Sequence, residues 1–316
     1  MKFVKIPENG ASWDVALCYT IATEQNQPSD VCVEVVDAIS GEILGTRRLY
    51  GIIQAEIDIA PYVRNAVGAA TPSSAKIALS PSARCIVVRA EGVDSPERVF
   101  YRAPLDCSTP HMLSDTNQPA VVERGDVIRL TAFAQSEVRV SASDRRVTAI
   151  ENFSAINSRG MPVEIAISTS SFVGDNVPIR VKVVCDRAQT YIFDYTVVEP
   201  TSTSYRIAWY NPKGGIECYT FPRSVRKSLE AELMTEIRGR APRLRGVVAR
   251  YRLVSAFEKR EEMERIAMVI VSPEVFECRG EECNILKLAD RKITFDDHGE
   301  MRRMELIVEK EWRGGL

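Results

Sequence analysis

The feature that most constrains this chain is a two-residue hydrophobic period that recurs in short runs separated by turn residues. In Trp13, Val15, Leu17, Tyr19 and Ile21 a large residue returns at every second position, which places the set on one face of a strand. Residues 31 to 36 form another β run, and Ser40-Gly41 supplies a turn before Ile43 and Leu44. Residues 52 to 59, 76 to 79, 85 to 88 and 99 to 102 continue the pattern. Many short strands at this spacing predict an antiparallel sandwich.

The pattern breaks at DCSTPHMLSDTNQPA, a Pro/Ser/Asn-rich stretch from 106 to 120. Such a stretch has too little apolar surface to offset the entropy of ordering it, so it reads as a linker. VIRLTAFA, EVRVSAS, RRVTAI, VEIAIS, IRVKVV and YIFDYTVV then resume the β signal. Composition shifts once more after Pro200: residues 201 to 316 carry 22 Lys/Arg against 19 Asp/Glu, a net +3, and the first 200 carry a net −5. The expected organisation is mainly β and multidomain: a β-sandwich-like domain over 1–105, a linker over 106–117, a second β-sandwich-like domain over 118–200, and a C-terminal β-rich α+β domain over 201–316 carrying one or two helices.

In that last domain, Tyr205 to Tyr210 reads as a strand, Asn211-Pro212-Lys213-Gly214-Gly215 as a turn, and Ile216 to Phe221 as the returning strand. Val225, Leu229, Leu233 and Ile237 recur every four residues and predict a helix with a narrow apolar stripe. Ser255 and Glu258 have capping-box spacing before Met263, Ile266, Ala267 and Ile270, which predicts a second helix ended by Pro273.

The chemistry on offer is sparse. Of eight cysteines, Cys278 and Cys283 are the nearest to a motif; the favoured reading is a β-turn with incidental thiols, with a disulfide or a metal site as alternatives. Asp296, Asp297, His298 and Glu300 read as an exposed turn rather than an ion site. There is no GxSxG elbow, HExxH pair or phosphate-binding glycine loop, so neither catalysis, cofactor nor metal is expected. A hydrolase whose site is assembled only in three dimensions is one alternative.

With 41 Lys/Arg against 43 Asp/Glu, overall charge makes no case for nucleic acid. Locally, residues 223 to 260 carry a net +7, including Arg238, Arg240, Arg243 and Arg245, and residues 261 to 283 a net −5, including Glu261 and Glu262. The opposed intervals read as charge pairing, within the chain or across a subunit interface. Trp209, Tyr210, Tyr219 and Phe221 read first as hairpin packing, then as a protein interface, and last as a glycan platform. Lys5, Pro7 and Glu8 interrupt the N-terminus too early for a signal peptide, and no apolar run reaches the roughly 20 residues that span a bilayer. Synthesis in a cytoplasm, with no membrane partner, is the expectation.

SYRIAWYNPKGGIECYTF (204 to 221) followed by YRLVSAFEKREEMERIAMVIVSPEVF (251 to 276) resembles a recurring arrangement in phage-tail-associated structural proteins of Bacteroidetes and their viruses. Trp209, Asn211, Gly214, Gly215, Tyr219, Thr220 and Phe221 match the first segment, and Glu261, Ser272, Pro273 and Val275 the second. Lys213 and Ile216-Glu217-Cys218 depart from the pattern, while DIAPYVRNAV (58 to 67) looks like a connection in the N-terminal β part of such proteins. The resemblance implies a non-enzymatic building block of a tail, baseplate or related particle, partnered by copies of itself or by other tail proteins and residing in the virion. A carbohydrate- or peptide-binding module is the other alternative.

Overall fold

The computed structural model describes residues 1–66, 71–102, 109–115, 120–144, 151–156, 160–234 and 243–311. It is mainly β, with several sheets and two α-helices among the described residues. In the first unit, a three-stranded antiparallel sheet (Lys2–Lys5, Cys18–Ala22, Gln54–Asp58) shares a core with a five-stranded one. The second sheet runs Ile43–Ile52, Ser29–Asp37, Ala83–Ala90 and Val93–Asp94, with Arg98–Tyr101 also on Ala83–Ala90. Trp13, Leu17, Tyr19, Ile21, Val33, Val35, Val88 and Phe100 fill that core. Val15 breaks the expected alternation: it precedes the strand Cys18–Ala22, in the irregular entry, and is 60% exposed. The Ser40-Gly41 turn forms because Asp37 Oδ1 accepts from the amides of Ile39 (2.8 Å) and Ser40 (3.0 Å), and Gly41 takes φ +74° without a side-chain penalty.

The middle unit packs a four-stranded sheet (His111–Met112, Val127–Phe133, Pro162–Ser168, Ile77–Leu79) with a five-stranded sheet (Ala120–Glu123, Gln189–Val198, Val177–Cys185, Glu137–Asp144, Glu151–Ile156) around one core. Two members come from unexpected parts of the chain. Ile77–Leu79, grouped by sequence with the first sandwich, pairs with Pro162–Ser168, and His111–Met112, inside the expected linker, pairs with Val127–Phe133. The chain therefore visits the middle unit at 77–79 before returning to the first, which ties the two together.

The C-terminal unit is one nine-stranded sheet. Its main path is Ile216–Phe221, Tyr205–Tyr210, Val275–Arg279, Glu282–Leu288, Met301–Glu311, Arg243–Val254 and Arg223–Met234, with Glu258–Lys259 and Thr294–His298 also on Met301–Glu311. The helix expected from Val225 onward is instead the strand Arg223–Met234, paired with Arg243–Val254. A spacing of four is even, so it suits a two-residue period as well as a helical one, and the stripe lacked the i+3 members that separate the two. The second helix exists, as Arg260–Ala267, with Met263 and Ile266 fully buried. Ser255 does not cap it: its hydroxyl donates to Ala256 O (2.7 Å) and accepts from Met304 N (2.9 Å), and the N-cap position is Lys259. Tertiary pairing at the sheet competes successfully for the serine oxygen. No helix among the described residues is long and apolar enough to cross a membrane.

Candidate functional site

Strand period divides the Tyr205–Tyr210 hairpin between two environments. Tyr205, Ile207, Trp209 and Phe221 enter the core beneath the helix Arg260–Ala267. Ala208, Tyr210 and Ile216 pack instead with Phe276 and Cys278. Trp209 and Phe221 are 0% exposed and Tyr210 is 2% exposed, so the glycan platform fails at Trp209 and these three side chains pack internally. Tyr219 is half-buried; its hydroxyl donates to Glu258 (3.0 Å) and accepts from Ala256 N (3.1 Å), and its ring meets Phe221 edge-on at 5.0 Å.

The molecule's dense polar chemistry lies at the seams where these strands meet the other units. Tyr210 Oη donates to Glu164 of the middle unit (2.8 Å), which also accepts from Ser73 N (3.2 Å) and Ser80 Oγ (3.4 Å). Burial pushes the Glu164 carboxyl up, against the pull of these donors and of nearby Arg129. The tight turn after Tyr210 forms a tongue. Asn211 Oδ1 accepts from Lys213 N and Gly215 N (2.9 Å each), freeing its amide to donate to Leu113 O and Glu217 Oε1 (2.8 Å each). Gly215 lies flush against the middle unit: a Cβ there would stand 2.2 Å from Leu113 O. Ser114 Oγ donates to Ile216 O (2.6 Å), and Ile216 N donates to Thr131 Oγ1 (2.9 Å).

Glu217 ties three elements together. It is 1% exposed and accepts from Asp115 N, the Asn211 amide and the Arg265 guanidinium of the helix. Arg265 also pairs with Glu262 one turn earlier. Burial pushes the Glu217 carboxyl up from 4.5 to about 7, with Arg265 and the two N–H donors opposing the rise. On the seam with the first unit, Arg102 sits 3.5 Å from Glu274 and over the Tyr210 ring at 5.1 Å, beside a cleft of about 560 Å³ lined by Trp13, Arg64 and Pro273 among others.

Glu164, Arg129 and Glu217 were not among the site residues expected from the sequence. Their signal was a charge inside an otherwise apolar strand: Arg129 in VIRLTAF, Glu164 in PVEIAIS and Glu217 in IECYTF are each less than 5% exposed. Such residues need partners from elsewhere in the fold.

The expected charge-paired set divides. Arg238 and Arg240 lie outside the described residues, as do the side chains of Arg243 and Arg245. Glu262 pairs within the helix and Glu261 is exposed. Elsewhere in the basic interval, Arg250 pairs with Glu230 (3.1 Å) and Glu309 (2.9 Å), and Arg252 with Glu305 (3.4 Å). Asp296 and Asp297 stand in an exposed hairpin, paired with Arg303 (2.6 Å) and Arg302 (2.5 Å). Cys278 and Cys283, read as incidental thiols, are disulfide-bonded because strand pairing sets them directly opposite one another.

No family model and no curated protein matches the chain. Among solved structures it is similar to a mutant of Salmonella alpha-2-macroglobulin at 8% identity and TM-score 0.22, covering 97% of this chain and 20% of that one. Native Escherichia coli alpha-2-macroglobulin gives 8% identity and TM-score 0.20, covering 96% of this chain and 19% of that one. The Dpr11 IG1 complex with DIP-gamma IG+IG2 gives 8% identity and TM-score 0.18, covering 63% of this chain and 98% of that one. The chain thus spans about a fifth of the length of the macroglobulins it matches. Likenesses this distant carry no argument about activity.

Proposed function

We propose that this chain is a non-enzymatic structural component of a phage tail, baseplate or related particle, acting through protein–protein assembly. One observation supports the reading most: the units meet through directional hydrogen bonds at buried side chains, Tyr210 to Glu164, Asn211 to Leu113 and the Asp115 amide to Glu217. Units on free linkers reorient. Units joined by buried hydrogen-bonded networks keep one geometry, which a repeating particle requires of its parts. The sequence resemblance supplies the kind of particle, and the partners it implies are further copies of the chain or neighbouring tail proteins.

Light scattering over a concentration series, with and without neighbouring tail components, tests the reading. The expected result is a mass above that of one chain in at least one condition. A strict monomer throughout, or protein-dependent hydrolysis of glycoside, ester or peptide substrates, overturns it.

A further inference from the structure

The hairpin formed by Val275–Arg279 and Glu282–Leu288 turns through Gly280 and Glu281, with Arg279 opposite Glu282 and Cys278 opposite Cys283. Gly280 takes φ +57°, the left-handed conformation that a two-residue hairpin turn demands. The cysteines are bonded with Cα atoms 4.3 Å apart, close to the spacing of a directly opposed, non-hydrogen-bonded pair.

The residues enclosed by this bond are also the ones that cross to the middle unit. Arg129, 4% exposed, donates through Nη2 to Glu281 O (2.9 Å) and through Nη1 to Ser73 O. Gly280 N donates to Asp126 Oδ1 (3.4 Å), and a Cβ on Gly280 would stand 3.2 Å from Gly125 O. The closed loop is short, with a sequence separation of 5, so its chain-entropy contribution sits at the low end for a disulfide. What the bond fixes is the shape of the tip. Cys278 is 4% exposed; Cys283, half-buried against the same apolar cluster, is the more accessible of the two residues.

We propose that the Cys278–Cys283 bond is a redox latch on the seam between the middle and C-terminal units. Closed, it holds the Gly280-Glu281 tip in the shape that meets Asp126 and Arg129; opened by a dithiol reductant, it releases the tip and loosens the seam. The chemistry balances as ordinary exchange. One thiolate of the reductant attacks the Cys283 sulfur, the bond to Cys278 breaks, and Cys278 leaves as a thiolate that takes up a proton. The second thiolate of the reductant then attacks its own sulfur of the mixed disulfide and releases Cys283. Two electrons pass to the cysteines and the reductant becomes a cyclic disulfide. The inference does not depend on particle assembly.

Hydrogen exchange on the full chain, with oxidised or reduced dithiothreitol, tests it alongside a Cys278→Ser/Cys283→Ser double variant. Non-reducing peptide mapping should find the link in the oxidised protein. Reduction should speed exchange about tenfold both in residues 276–285 and across the seam in 125–131, leaving Glu137–Asp144 unchanged. The double variant should match the reduced protein under both conditions. Acceleration confined to 276–285, acceleration that includes Glu137–Asp144, a reductant-sensitive double variant, or absence of the link would each overturn the proposal.

Discussion

Replacing Glu217 with Gln should change how the stability of the C-terminal unit depends on pH. The folded carboxyl is pushed up from 4.5 to about 7, chiefly by burial. The folded chain therefore holds this proton more tightly than the unfolded chain, and the group's contribution to stability is fully present below about pH 4.5 and lost as pH rises through about 7. At ~1.36 kcal/mol for each tenfold difference in proton affinity, the loss between pH 5 and pH 8 is roughly 2 to 3 kcal/mol. Gln keeps an oxygen for Asp115 N and the Asn211 amide, Arg265 keeps Glu262, and nothing at 217 ionises. Glu164, Asp126 and Glu258, also raised by burial, titrate in both proteins and largely cancel in the comparison. Urea unfolding followed by tryptophan fluorescence is a suitable assay because Trp209 stands directly across the hairpin from Glu217. The wild type should lose roughly 2 to 3 kcal/mol relative to the variant on going from pH 5 to pH 8. Parallel stability profiles would refute the reasoning, because the seam would then be indifferent to the charge at 217.

Met263→Asp or Ile266→Asp should cost several kcal/mol or prevent folding of the C-terminal unit, since each places a charge in a fully buried site. Lys259→Ala, at an exposed position, should cost less than about 0.5 kcal/mol in the same denaturant titration. Gly215→Ala should open the seam because its methyl meets the Leu113 carbonyl, whereas Gly246→Ala has no atom within 4 Å to displace; limited proteolysis near 109–115 reports the difference. Tyr210→Phe should destabilise by about 1–3 kcal/mol in thermal unfolding by taking a donor from buried Glu164.

What could be read from the sequence follows the range of the forces involved. The strands at 31–36, 76–79 and 99–102, the turn at Ser40-Gly41, and the buried face of Met263 and Ile266 come from local period and backbone preference, and they appear where expected. The sheet that Ile77–Leu79 joins was hidden, because its partner Pro162–Ser168 lies some 85 residues away and a strand's period does not name its neighbour. The strand Arg223–Met234 was missed because apolar residues four apart satisfy both periods. The seam was partly visible: a lone charge in VIRLTAF or IECYTF announces a buried partner without identifying it. The Cys278–Cys283 bond likewise needed the hairpin register, which puts the two thiols face to face.

Buried polar seams hold the three β units in one arrangement. Small-angle X-ray scattering from the dilute chain measures this most directly. The expected profile is fitted by a single fixed arrangement of the units and is unchanged by moderate salt, because Tyr210, Glu164, Asn211 and Glu217 are shielded from it. A profile requiring an ensemble of independently oriented units would contradict it.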